Sequence, residues 1–227
     1  GRPSILPEFR SFYKLEKGKG NHYDIDEVAR PDRLLKNNGN GTFTDVSDEA
    51  GISREGDHGL SVAWWDFNAD GLIDLYVGND FNDPDHLYRN NGDGTFSDVI
   101  KSRLPHTSWF SMGSDAADIN NDGRLDFLSV DMSATTHFKQ KTSMGAMNAE
   151  LMSKVAGPPP QLMRNALYVN TGTDRFLEAA YLAGLADSDW SWAVKFGDLD
   201  NDGLIDVLIT NGMARNFSHS DIPFNKD

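Results

Sequence analysis

Short apolar runs alternate with polar turns along most of the chain. Three runs rich in β-branched and aromatic residues, LYVGN, FLSVD and VLITN, end at Asn79, Asp131 and Asn211. A run of similar length (GLSVAWW, SMGSDAA or SWAVKFG) stands before each of them, across a short polar loop. Runs of this length and composition, bounded by Asp, Asn and Gly, predict pairs of short strands.

A second kind of hairpin follows these strand pairs. RLLKNNGNGTFTDV begins at Arg33 and HLYRNNGDGTFSDV at His86, and ALYVNTGTDRFLEA repeats the pattern more loosely from Ala166. The Asn-Gly and Asp-Gly pairs supply the positive φ angles that tight hairpins require. Four short antiparallel strands in about 50 residues are typical of a β-propeller blade.

The sequence therefore predicts an all-β fold made of β-propeller blades, each with four antiparallel strands. About three blades' worth is present, whereas closed propellers use about four to eight. We expect part of a larger propeller, with its remaining blades or other chains at the open edges. The predicted order is an N-terminal extension or inter-strand insertion (1–32), a half-blade (33–48), a blade (57–104), a blade (108–184) with an insertion (132–162), a half-blade (190–212) and a C-terminal tail (213–227).

The insertion accounts for an uneven repeat spacing. The polar loops between the paired strands begin at positions 66, 118 and 198, so the second spacing exceeds the first by 28 residues. Within the insertion, Met144, Met147, Leu151 and Val155 recur at helical spacing before Gly157 and three prolines. This pattern predicts one short amphipathic helix.

The three polar loops, DFNADGLID, DINNDGRLD and DLDNDGLID, are strongly acidic. Each pair of like charges about 4 Å apart costs about 1 kcal/mol in water and about 4 kcal/mol near a protein surface. Calcium offsets this repulsion because it takes six to eight hard oxygen ligands. Positions 1, 3, 5 and 9 supply side-chain oxygens, position 7 supplies its carbonyl, and Gly at position 6 permits the bend. The candidate ligands for three calcium ions are Asp66, Asn68, Asp70, Leu72 and Asp74; Asp118, Asn120, Asp122, Arg124 and Asp126; and Asp198, Asp200, Asp202, Leu204 and Asp206.

An EF-hand starts in the same way but requires a bidentate Glu at position 12. That position holds Val77, Ser129 or Ile209, each inside a strand-like run. Solvated acidic turns without a ligand are the alternative interpretation, which three matches in register with the blades disfavour. Magnesium is a weaker competitor because it prefers to keep its waters.

Composition narrows the class of partner. Asp and Glu outnumber Lys and Arg by 35 to 21, and the formal charge is -14. No basic cluster is present, so we expect no nucleic-acid partner. No apolar stretch approaches the length that a membrane span needs, and we expect no membrane insertion. Cysteine is absent, which excludes disulfides and thiol catalysis. The opening residues lack an initiator Met and the layout of a signal peptide, so we expect a piece of a longer protein.

The segments DFNADGLIDLYVGND, HLYRNNGDGTFSDV and WSWAVKFGDLDNDGLIDVLITNG together resemble the FG-GAP or VCBS repeats of integrin-like propellers. The likeness is to bacterial surface or secreted proteins that pair such repeats with an ASPIC/UnbV domain, and it runs from Arg33 to Gly212. It implies a calcium-binding propeller exported from the cytoplasm, either secreted or at the cell surface. No UnbV segment is recognisable in the chain.

Enzymatic motifs are scarce. The chain has no HExxH, Walker loop, G-x-S-x-G or Rossmann glycine pattern, and we expect no catalysis. The tryptophans either pack between blades or present a rim that stacks on sugar rings or anchors a protein. We therefore predict a protein- or glycan-binding, adhesion or assembly module. The alternatives are an extracellular polysaccharide lyase or glycoside hydrolase, and a structural component of a surface assembly.

Overall fold

The computed structural model describes residues 13–17, 23–27, 30–53, 57–80, 83–139 and 159–212, with the backbone alone for the first two segments. The predicted insertion helix at 144–155 and the predicted C-terminal tail lie outside these residues. The chain forms two compact units, Gly1–His58 and Gly59–Asp227.

The first unit contains two hairpins and one helical turn. Strand β1 (Tyr13–Lys17) pairs with β2 (Tyr23–Glu27), and β3 (Leu35–Asn37) pairs with β4 (Phe43–Asp45), both antiparallel. The turn between β3 and β4 is closed by a hydrogen bond from the Asn38 amide to the Thr42 carbonyl at 2.9 Å. Helix α1 (Ser47–Ala50) follows β4 directly.

The first sheet of the second unit has four antiparallel strands that pair in chain order. They are β5 (Gly59–Trp65), β6 (Asp74–Asn79), β7 (His86–Asn90) and β8 (Phe96–Asp98). A single helical turn, α2 (Ile100–Arg103), follows β8. This up-and-down sheet is the arrangement of a propeller blade.

A second four-stranded sheet repeats the arrangement. Its strands are β10 (Gly113–Ala117), β11 (Asp126–Val130), β14 (Ala166–Val169) and β15 (Leu177–Glu178), again antiparallel and followed by one helical turn, α3 (Ala180–Ala183). The predicted all-β fold of four-stranded antiparallel blades is confirmed, while the domain boundaries given above remain a prediction.

The ends of the insertion form strands that pair outside their own sheet. Strand β12 (Met132–Ser133) pairs with β16 (Asp189–Gly197), which pairs in turn with β17 (Asp206–Asn211) to make the third sheet. Strand β13 (Gln161–Leu162) pairs in parallel with β9 (Thr107–Ser108). The sequence did not predict these pairings because two-residue strands carry no periodic signal. They attach the insertion to the blades at both ends.

Two hydrophobic cores lie between successive sheets. Trp65 of the first sheet packs against Phe127 of the second with ring centroids 4.8 Å apart, and Phe127 stacks on Tyr168 at 4.4 Å. Leu128, the next residue along β11, belongs instead to the core shared with Val194 of the third sheet. Because successive residues of a strand point to opposite faces, the run from Phe127 to Val130 is buried on both sides. This explains why the strand reads as continuously apolar.

Asp85 and Asp131 are buried carboxylates, and nothing in the sequence pattern predicts their burial. In the first blade, Asp85 accepts hydrogen bonds from the Asn79 amide at 2.8 Å, the Tyr76 hydroxyl at 2.6 Å and the Ser111 hydroxyl at 2.8 Å. In the second blade Asp and Asn exchange places. There the backbone amide of Asp131 donates to the side-chain oxygen Oδ1 of Asn165 at 2.7 Å. An acid–amide pair thus closes the end of the second strand in both blades.

Asp85 makes stability depend on pH in a predictable direction. Burial raises its pKa to about 6, against the opposing effect of the hydrogen bonds from Tyr76, Asn79 and Ser111. Because this pKa lies above the unfolded value of about 4, the folded chain binds the proton more tightly. The resulting stabilisation is fully present below about pH 4 and is lost as pH rises through about 6.

We therefore expect Asp85→Asn to flatten the pH dependence of unfolding. Between about pH 4 and pH 7 the wild type should lose about 2 kcal/mol more of its unfolding free energy than the variant does. Asn165 occupies the equivalent position of the second blade, so an amide fits there. The measurement is urea denaturation at several pH values and constant calcium. Equal slopes for wild type and variant would contradict the assignment.

Candidate metal centres

Each acidic loop joins two consecutive antiparallel strands, namely β5 and β6, β10 and β11, or β16 and β17. The first closes at the pair Trp65–Asp74, the second at Ala117–Asp126 and the third at Gly197–Asp206. In all three loops position 4 has positive φ, between 56° and 63°, and the Gly at position 6 has φ of 84° to 86°. The backbone therefore makes the same bend three times.

Backbone amides orient the carboxylate at position 1 of every loop. The oxygens of Asp66, Asp118 and Asp198 accept the amides of positions 5 and 6, at 2.7 to 3.1 Å. The side-chain oxygen at position 3 accepts the position 5 amide at 3.2 Å in all three. In each loop, therefore, backbone amides of the loop donate hydrogen bonds to the loop's own side-chain oxygens.

In the first two loops the ninth residue links the loop to the third strand of its sheet. Asp74 Oδ2 accepts the Phe67 amide at 3.1 Å, and its Oδ1 accepts the Asn90 amide of β7 at 2.7 Å. Asp126 makes the same two bonds in the second blade, to Ile119 and Asn170. Burial raises the pKa of both carboxyls, and the neighbouring loop carboxylates raise it further. Position 9 therefore joins strand pairing to the acidic loop.

The third loop brings three carboxylates together. Single oxygens of Asp198, Asp200 and Asp206 all lie within 4.8 Å of one another. Ligands on opposite sides of a calcium ion are about 5 Å apart, since each bond is about 2.3 to 2.6 Å. The first two loops have Asn68 and Asn120 in place of Asp200, and their carboxylates form no such triplet in the part of the chain that the structure describes.

The donor set fits a hard divalent cation. All five candidate positions of each loop offer oxygen, which is the ligand that calcium prefers, and none offers sulfur or imidazole. Backbone amides hold these oxygens in the first and third loops, where no basic side chain of the described residues contacts them. In the second loop, the Arg124 guanidinium lies 2.6 Å from Asp122 Oδ2. Sequence reasoning had assigned Arg124 through its carbonyl and missed its side chain.

The tryptophans, which are the other candidate binding residues, fall into a buried group and an exposed group. Trp65 and Trp109 are buried, whereas Trp64 and Trp192 are about half exposed. His106 is also buried, with Nε2 2.9 Å from the Arg164 guanidinium, which in turn donates to Glu178 at 2.8 Å. This ionic cluster holds the second blade together. The expected lack of catalysis remains a prediction.

Repeated four-stranded sheets with an acidic loop between the first two strands define a β-propeller repeat protein. The sequence model of the FG-GAP-like repeat matches residues 25–77, 66–129 and 155–209. The chain belongs to this family, as its motifs predicted. The narrower assignment to the bacterial ASPIC/UnbV-associated type stays a prediction.

Three vertebrate proteins are similar to this chain in sequence. The chain is 38% identical over 196 residues to cartilage acidic protein 1 of Xenopus tropicalis, an alignment that covers 82% of this chain and 26% of the relative. It is 38% identical over 104 residues to the Mus musculus protein and 36% over 109 residues to the Homo sapiens protein, each alignment covering 44% of this chain. Those alignments cover 16% and 15% of the two mammalian proteins. The chain therefore spans about a quarter or less of each relative.

No helix in the described segments combines the length and apolar character that crossing a bilayer requires.

Proposed function

We propose that this chain is a calcium-stabilised extracellular β-propeller module that binds or assembles with a partner and has no catalysis of its own. The observation that carries the proposal is the identical winding of three loops around hard oxygen donors, in register with the sheets. A repeated geometry of this kind is expected of ion sites and not of acidic turns that merely face solvent.

Each ion would be held by side-chain oxygens of positions 1, 3, 5 and 9 and by the carbonyl of position 7. When bound, calcium supplies positive charge and no redox chemistry. Three ions would change the formal charge from -14 to -8. The chain's own contribution is to orient the oxygens, through the amides that donate to Asp66, Asp118 and Asp198.

An extracellular location is consistent with both relatives and chemistry. The vertebrate relatives are named for cartilage, a tissue rich in extracellular matrix. Calcium is millimolar outside cells, where modules with dissociation constants of about 10⁻⁴ to 10⁻³ M are loaded. Structural ions of modest affinity are therefore expected to work there.

The partner is a protein, a polysaccharide or further blades. Strand β17 is the edge strand of its sheet in the described part of the chain, and Trp192 and Leu208 of this sheet are 48% and 58% exposed. An open strand edge beside apolar side chains favours pairing with another strand. This supports assembly with further blades as the second candidate function.

Counting bound calcium tests the proposal. After equilibrium dialysis against millimolar calcium, atomic emission should find an excess of one calcium per acidic loop over the calcium of the dialysis buffer. The double variant Asp198→Ala/Asp200→Ala should lose one ion. Asp93→Asn is the matched control, because Asp93 lies in the turn between β7 and β8, and the corresponding residue in the turn between β3 and β4 is Asn40. A chain without calcium, or a control that also loses an ion, would refute the proposal.

A glycan array separates the partner classes. Probed in calcium and again in excess chelator, a chelator-sensitive signal would support a polysaccharide ligand. An array without such a signal would favour a protein partner.

A further inference from the structure

The three acidic loops differ at one carboxylate oxygen, Oδ2 of position 5. In the third loop, no side chain among the described residues donates to this oxygen of Asp202. In the first loop, the side-chain amide of Asn68 donates to Asp70 Oδ2 at 2.8 Å. In the second loop, Asp122 Oδ2 receives both the Asn120 amide at 3.0 Å and the Arg124 guanidinium at 2.6 Å. This oxygen therefore accepts no side-chain hydrogen bond from the described residues in the third loop, one in the first loop and two in the second.

Arg124 is a positive charge built into the second loop. Its counterparts at position 7 are Leu72 and Leu204, which are uncharged. The arginine side chain is fixed from two directions, since its Nε also donates to the Asn170 carbonyl at 2.9 Å.

We infer that Arg124 acts as a tethered counter-cation that competes with calcium at Asp122 and makes the second loop the weakest of the three sites. This inference rests on the calcium sites proposed above. An ion in the second loop has to displace the guanidinium from Asp122 and then lies close to its charge. The third loop has four carboxylates at positions 1, 3, 5 and 9 and no basic residue, and calcium affinity rises with ligand charge. The order of affinity is therefore third, first, second.

The structure gives Arg124 space to move when it is displaced. Its side chain is 39% exposed and lines a cleft of about 730 Å³ between the first and second acidic loops. The arginine therefore acts as a reversible competitor and leaves the second site usable at high calcium.

Three glycine amides report the loops separately. Gly71, Gly123 and Gly203 each donate to the position 1 carboxylate of their own loop, at 2.8, 2.7 and 3.0 Å. Their resonances in ¹⁵N–¹H spectra should shift when the loop loses its ion. Calcium is withdrawn from the loaded full chain with chelator buffers, so that the other loops hold the fold while the weakest empties.

We expect Gly123 to respond first, then Gly71, then Gly203. In Arg124→Leu, which copies the other loops and retains the position 7 carbonyl, the Gly123 midpoint should move to about fivefold lower free calcium. In Leu204→Arg, which transfers the charge to a residue that is 59% exposed, the Gly203 midpoint should move to about fivefold higher calcium. The second variant keeps the test valid if losing the Asn170 contact disturbs the first.

The outcomes distinguish the two proposals. If calcium shifts none of the glycine amides, the calcium sites themselves are refuted and the role of Arg124 with them. If calcium binds but Gly123 does not respond first, or if neither substitution moves its midpoint, the role of Arg124 is refuted while the sites stand.

Discussion

Removal of calcium should lower the melting temperature of this chain by about 8 to 16 °C. At ten times its dissociation constant, the ratio that millimolar calcium gives a site of about 10⁻⁴ M, an ion stabilises the folded state by about 1.4 kcal/mol, so that three sites contribute about 4 kcal/mol. For a chain of this size each kcal/mol corresponds to about 2 to 4 °C. The structural reason is that position 9 of the first two loops also anchors strand pairing, through the bonds from the Asn90 amide to Asp74 and from the Asn170 amide to Asp126.

The measurement is thermal unfolding followed by circular dichroism in millimolar calcium and then in excess chelator. Magnesium at equal ionic strength is the control, since it prefers to keep its waters and should restore little of the stability. A melting temperature that does not respond to chelation would contradict a structural role for the ion.

Gly113→Val should be strongly destabilising. A Cβ atom at Gly113 would lie 2.8 Å from the Ala193 Cα and 2.9 Å from the Trp192 carbonyl oxygen. Both atoms are backbone of β16, so neither can rotate away, and the second and third sheets would have to separate. Overpacking of this kind costs about 3 kcal/mol or more, which corresponds to about 6 to 12 °C in melting temperature.

Gly197→Val is the matched control for this substitution. Gly197 also lies in a strand that precedes an acidic loop, but the nearest atom to its added Cβ is a Leu199 methyl carbon at 3.8 Å. The control should lose less than about 1 kcal/mol. Equal losses for the two variants in thermal unfolding would show that the sheets do not meet at Gly113.

Much of the repeat could be predicted because its signals are local. Asn-Gly and Asp-Gly turns fix the hairpins, and Gly at position 6 of each loop takes the positive φ that the bend requires. The alternation of strands and acidic loops then fixes the blade. The candidate ligands therefore lie in, or directly after, three bends of one backbone geometry, and their role as calcium ligands stays a prediction.

What could not be predicted depends on contacts between distant residues. Asp85 stands in an acidic segment that reads as solvent-exposed, yet it is buried against Tyr76 and Ser111. The pairing of β12 with β16 joins residues more than 50 positions apart. The effect of the Arg124 charge depends on the direction of its side chain, which brings the guanidinium to Asp122. None of these three features produces a periodic pattern in the sequence.

A crystal structure of the chain grown in millimolar calcium tests the central claim most directly. The account predicts one ion in each acidic loop, about 2.3 to 2.6 Å from the five oxygens of positions 1, 3, 5, 7 and 9, with calcium identified by its anomalous scattering. Loops that hold only water at this calcium concentration would contradict it.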